Sequence, residues 1–139
     1  MRSRYGSAAL AACLVLACGC GKGGPEITVL SGRVTIDGKP VKVGMVNVVS
    51  DDDVTRTAGE IAPDGSYSIV GAPVGPVKLS VSTEDFKVVL PEPGSGAAPP
   101  RANPLYTATP KRYEKFETAM LATTVPRGKA TFDIELKSK

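Results

Sequence analysis

The sequence predicts an all-β protein: a single antiparallel β-sandwich of about seven strands, preceded by a signal peptide. Three observations carry that prediction. Apolar residues recur with a period of two in several short runs, such as Leu30, Gly32, Val34 and Ile36 against Ser31, Arg33 and Thr35. Between the runs stand residues suited to tight turns, Asp37-Gly38 and Pro63-Asp64-Gly65. Ahead of them all, a basic start and a short apolar run read as an export signal.

Arg2 and Arg4 supply the basic start, and the uncharged run AALAACLVLA occupies residues 8–17. That run is about half the roughly 20 apolar residues that a membrane-spanning helix needs, so the segment is expected to be cleaved. It leads into ACGCGKGG, where Ala17 precedes Cys18 and Gly19 precedes Cys20. Both VLA-C and ACG-C resemble the bacterial lipobox. The resemblance implies cleavage before a cysteine whose thiol is then diacylglycerated, so lipidation falls on Cys18 or Cys20. The first match has the more usual aliphatic residues at its outer positions. Cys13 lies inside the leader, and no cysteine follows Cys20, which leaves the body with neither a disulfide framework nor a thiolate cluster. Residues 1–17 are thus read as the lipoprotein signal peptide, 18–26 as a lipidated tether, and 27–139 as the sandwich domain. Several acyl chains, at about 0.8 kcal/mol per buried CH2, would hold such a protein on a membrane. The expected location is the cell envelope, with inner and outer membrane both open.

Of 17 Lys and Arg in the chain, Arg2 and Arg4 leave with the leader, and the remainder nearly balance 14 Asp and Glu. The cations are scattered among acids, which gives no electrostatic footprint for nucleic acid. Roughly 120 residues remain, enough for one modest core.

The strands follow in order. The first alternation covers residues 30–36 and ends at the Asp37-Gly38 turn. Residues 41–49 are rich in valine and read as a second strand. Residues 55–62 form a weaker pattern, closed by the Pro63-Asp64-Gly65 turn. Residues 66–70 place Tyr67 and Ile69 on one face; residues 71–76 then interrupt the pattern, and Val77, Leu79 and Val81 resume it. Near the end, Phe132, Ile134 and Leu136 alternate with Asp133, Glu135 and Lys137, unbroken for six residues.

The stretches VLSGRVTIDGKPV and GEIAPDGSYSIVGAPVGPVKLSV resemble the carboxypeptidase regulatory-like family, whose fold is similar to the transthyretin-type sandwich. The matching pattern is a G-x-V strand at residues 32–34, a D-G-x-P turn at 37–40, a D-G-x-Y hairpin at 64–67, and Gly75 before the next strand. Gly32, Gly38, Gly65 and Gly75 have a structural reading, since glycine allows positive φ or close backbone approach. The resemblance implies no catalysis, because in such enzymes this module is an accessory to a separate catalytic domain.

The chain has no histidine, which removes the usual general base and the commonest zinc ligand. No catalytic, cofactor-binding or metal-ligating residue is assigned, and no cofactor is expected. Asp51-Asp52-Asp53 lacks the alternate spacing, glycine and closing glutamate of a calcium loop and reads as a solvated hairpin turn. Residues 86–110, rich in Pro, Gly and Ala, read as a mobile loop between strands, open to recognition by a partner. Tyr106, Tyr113 and Phe116, among Lys111, Arg112 and Lys115, leave two readings, an aromatic and basic ligand surface or one or two rings closing an end of the sandwich with lysines at its rim, and the second is the expected one. The function expected on these grounds is that of a lipid-anchored, non-enzymatic envelope module that is structural or binds protein partners. The alternative is a module for carbohydrate or another ligand at the cell surface.

Overall fold

The computed structural model describes residues 27–91, 93, 94, 96 and 99–139. The leader and Cys18 and Cys20 lie outside the described residues.

Eleven strands are present among these residues: β1 (Ile27–Ile36), β2 (Lys39–Pro40), β3 (Met45–Ser50), β4 (Arg56–Glu60), β5 (Ser66–Pro73), β6 (Gly75–Ser82), β7 (Val88–Val89), β8 (Arg101–Ala102), β9 (Leu121–Val125), β10 (Lys129–Thr131) and β11 (Ile134–Leu136). One short helix, α1 (Phe116–Ala119), precedes β9. Setting aside the two-residue pairs and taking β10 and β11 as one interrupted strand, the sandwich has seven strands, in agreement with the alternation in the sequence.

Strand β1 is the hub of the first sheet. Antiparallel β5 flanks it from Ile27 opposite Pro73 to Arg33 opposite Ser66, with a register shift between Thr28 and Val29. Beyond that ladder, β2 folds back on Thr35 and Ile36. The turn between β1 and β2 has positive φ at both Asp37 (49°) and Gly38 (82°), the mirror-image geometry that matches the twist of two-residue hairpins. The second sheet has the order β4-β3-β6-β9 and is antiparallel throughout. Leu30, Val34, Ile36, Tyr67 and Ile69 of the first sheet and Val46, Val48, Val77, Leu79 and Val81 of the second form the core between them.

Four expectations from the sequence need correction. First, β10 and β11 run parallel to β1, the exception in an otherwise antiparallel sandwich. A period of two reveals that a segment is a half-buried strand; it carries no information on the direction of the neighbour it pairs with. Second, the last strand is broken at Phe132 and Asp133, although the register is unchanged across the break, Ser31 opposite Thr131 and Val34 opposite Ile134. Phe132 is only half-buried, packed against the core rather than within it. Third, the second strand begins at Met45; residues 41–44 form no strand, although Val41 is buried. Fourth, β5 runs through Gly71 to Pro73, and a single residue, Val74, separates it from β6.

Residues 86–110, expected as a mobile loop between strands, contain the β7–β8 hairpin. Its base is tied down from the core side. Thr83 and Thr109 are both buried, and the Thr83 hydroxyl donates to Thr109 Oγ1 at 3.1 Å while accepting from the Thr109 amide at 3.2 Å. Above this tie, the Tyr106 hydroxyl donates to Glu84 Oε2 at 2.7 Å, and the Asn103 amide donates to the Lys87 carbonyl at 2.9 Å.

Candidate functional site

The outer face of the four-stranded sheet is where side chains suited to a ligand come together. Cross-strand partners in an antiparallel pair share a face. Because Val46 and Val48 point into the core, Asn47 and Val49 point outward. Their partners Ala58 and Arg56 on β4, and Ser80 and Lys78 on β6, point outward with them. Continuing across β6, Lys78 pairs with Ala122 of β9.

Two of these outward residues are nevertheless buried, Val49 at 0% and Ser80 at 1% exposure. The cover comes from the segment before β9. Helix α1 lies against β6, and Phe116 at its start is half-buried over this face. Phe116 borders two hollows. One, of about 370 Å³, is lined by Asn47, Val48, Arg56, Thr57, Ala58 and Phe116. The other, of about 350 Å³, lies on the side of Lys78, Glu117 and Ala122. The Arg56 guanidinium carbon stands 5.8 Å from the Phe116 ring centroid, within cation–π range. The Asn47 amide donates to Ser80 Oγ at 3.5 Å. Met120, 91% exposed and left-handed with φ 51°, caps α1 beside the second hollow.

The expected aromatic cluster is divided by the structure. Tyr113 is buried in the core cluster, with Arg112 stacked on it at 4.8 Å, and its hydroxyl accepts from the Lys137 amide at 3.2 Å. Arg112 also donates to the carbonyls of Lys137 and Lys139. Tyr106 is engaged with Glu84, which holds its phenol above the ordinary range. Tyr113 thus closes the sandwich end as expected, and Phe116 alone of the three borders the hollows. Arg56 and Asn47 were not singled out in the sequence, because only strand register places them beside a ring some sixty residues later in the chain.

The three aspartates at residues 51–53 diverge. Asp51 pairs with Lys78 at 3.5 Å and Asp53 with Arg56 at 3.9 Å. Asp52 turns back to accept from the Ser50 hydroxyl and from the Val54 amide, and these bonds hold its carboxyl below the ordinary value. This is the bonding of a β3–β4 turn. Among the described residues, no group of three or more Cys, Asp or Glu gathers in a metal-ligating arrangement, and no helix is long and apolar enough to cross a membrane.

A second surface feature lies on the β7–β8 hairpin. Val88, Val89, Leu90 and Leu105 are exposed there, beside a hollow of about 440 Å³ lined by Val89, Leu90, Arg101 and three prolines. The hairpin sits at the far end of β1 from Ile27. Strand β6 starts next to Pro73, which is paired with Ile27, and runs away from it, and Thr107 lies in one hollow with Ile36 and Asp37.

No family model matches the chain, and no curated protein matches it. Among solved structures, the chain is similar to a DUF3823 family protein from Parabacteroides merdae ATCC 43184, with 14% identity and a TM-score of 0.45. The similarity covers 81% of this chain and 46% of that one.

Proposed function

We propose that the protein is a lipid-anchored, non-enzymatic envelope protein whose sandwich, of the carboxypeptidase regulatory-like type, serves as a structural or protein-interaction module. The observation that carries this reading is the exposed apolar hairpin at the end of the molecule opposite the start of β1. With the acyl chains on Cys18 or Cys20, the short tether to Ile27 keeps that start near the bilayer. The ten residues of β1 span about 30 Å, which separates that start from the end of the sandwich that carries the hairpin. Exposed apolar residues grouped this way fit a contact surface for another protein. The turn carboxylates support the non-enzymatic reading, since Asp37, Asp52 and Asp64 each accept bonds that hold a turn or the chain terminus in place.

A photo-crosslinking residue at Val89 or Leu90 in cells tests this reading, with Val70, at least as exposed as either, as a control on the sandwich wall. The expected result is a discrete protein adduct from positions 89 and 90 and none from 70. Identical patterns at all three positions, or no adduct at any, would contradict it.

A further inference from the structure

We propose that the hollow between Phe116 and Arg56 binds a sugar unit that carries a carboxylate, its ring laid on Phe116 and its carboxylate on the guanidinium. This site is separate from the hairpin and does not depend on the anchor. The chemistry follows from the lining. Among the described residues that line the 370 Å³ hollow, Arg56 is the charged one, and its guanidinium, only weakly offset by Asp53, offers an anion a partner there. A guanidinium presents paired donors that match a carboxylate in a bidentate fork. Its present partner, Asp53, is 3.9 Å away with both side chains more than half exposed, a contact that solvent screens and a ligand can displace.

A small carboxylate would leave the remainder of the hollow unfilled. Phe116 offers an apolar, electron-rich ring, against which the C–H face of a pyranose packs while its hydroxyls remain at the rim. Asn47 supplies a polar group at that rim, and Ala58, which points outward with Arg56, keeps the floor low. An apolar surface with a few fixed polar groups is the usual composition of a small-ligand site. The second hollow, beyond the same ring, has Asp53 and Glu117 in its lining as well as Lys78, so the charged sugar unit is placed on the Arg56 side of Phe116.

Calorimetric titration of the full chain with trigalacturonate, and with neutral maltotriose as the comparison, tests the assignment. Trigalacturonate is expected to bind saturably, and maltotriose at least about tenfold more weakly, the value of one charge-assisted contact. Arg56→Gln should weaken trigalacturonate by about tenfold with an unchanged melting temperature. Phe116→Leu, which preserves an apolar packing group but removes the ring, should weaken both sugars. Arg101→Gln, on the distant hairpin, should change neither. Absence of saturable binding, equal affinity for the two sugars, or full affinity in Arg56→Gln would each overturn the proposal. If Phe116→Leu melts early, Arg56→Gln alone decides the matter.

Discussion

Gly32 is where the two ends of the described chain meet. A Cβ at this position would lie 2.0 Å from the Phe132 carbonyl oxygen and 3.0 Å from the Tyr67 ring. The glycine lets that carbonyl turn inward to accept from the Tyr67 hydroxyl at 2.5 Å. Asp133 Oδ1 takes the place of a ladder carbonyl and accepts from the Arg33 amide at 2.9 Å. The break in the last strand is therefore built from two side chains, those of Tyr67 and Asp133, and from the missing side chain of Gly32. Gly32→Ala should destabilise the fold by about 3 kcal/mol, because a backbone carbonyl must move, and a urea titration measures it. Tyr67→Phe should cost about 1 kcal/mol. Burial, and then the Asp133 charge, raise the Tyr67 phenol far above its ordinary value of 10.0. The folded state thus favours the neutral phenol. The associated stability is complete below about pH 10 and is lost as the pH rises toward the folded value. Stability curves of wild type and Tyr67→Phe should accordingly converge above about pH 10. In the last strand, Ile134→Ala should cost about 2 to 5 kcal/mol and half-buried Phe132→Ala less, in contrast to the full burial that alternation suggested.

Among the elements, the turns were the most legible parts of the sequence, because their chemistry is local. Asp64 accepts from the Ser66 amide at 3.0 Å and the Ser66 hydroxyl at 2.6 Å, and Asp52 does the same work in the β3–β4 turn. These bonds hold both carboxyls below their ordinary value, as bonds from Ser138 do for Asp37. Lowered folded-state values mean that this stability is present above the ordinary carboxylate range and is lost as the pH falls through the folded values. Thermal midpoints should therefore drop on acidification below about pH 4, and less steeply in Asp64→Asn. Strands with clean alternation were equally legible: Val34, Val48, Ile69 and Leu79 are all buried. The parallel partner of β1, the Phe132 break and the Thr83–Thr109 tie depend on residues brought together from distant parts of the chain, which no local pattern records. That tie also redefines what can be removed. Replacing residues 90–100 with a short Gly-Ser link should change stability by less than about 1 kcal/mol, since loop-closure entropy varies slowly with length. Thr83→Val, which leaves the Thr109 amide without its acceptor, should cost about 1 to 3 kcal/mol.

For the molecule as a whole, composition and turn order were enough to identify a sandwich, whereas its surface had to be seen folded. Phe116 stood among basic residues in sequence, yet the cation over its ring is Arg56 of an earlier strand. The exposed apolar hairpin was concealed within a stretch whose proline and glycine content suggested only a loop. Together these features give a domain with a proposed membrane end, an apolar tip at the opposite end, and a ring-lined hollow on one side. The membrane end of this arrangement rests on the proposed acyl chains at Cys18 or Cys20. Feeding bacteria that express the full chain an alkyne palmitate analogue, then fractionating membranes, tests it most directly. The expected result is a labelled, membrane-bound protein that loses both label and membrane association when Cys18→Ser and Cys20→Ser are combined. A label that persists in the double variant, or an unlabelled wild-type protein recovered free of membranes, would contradict it.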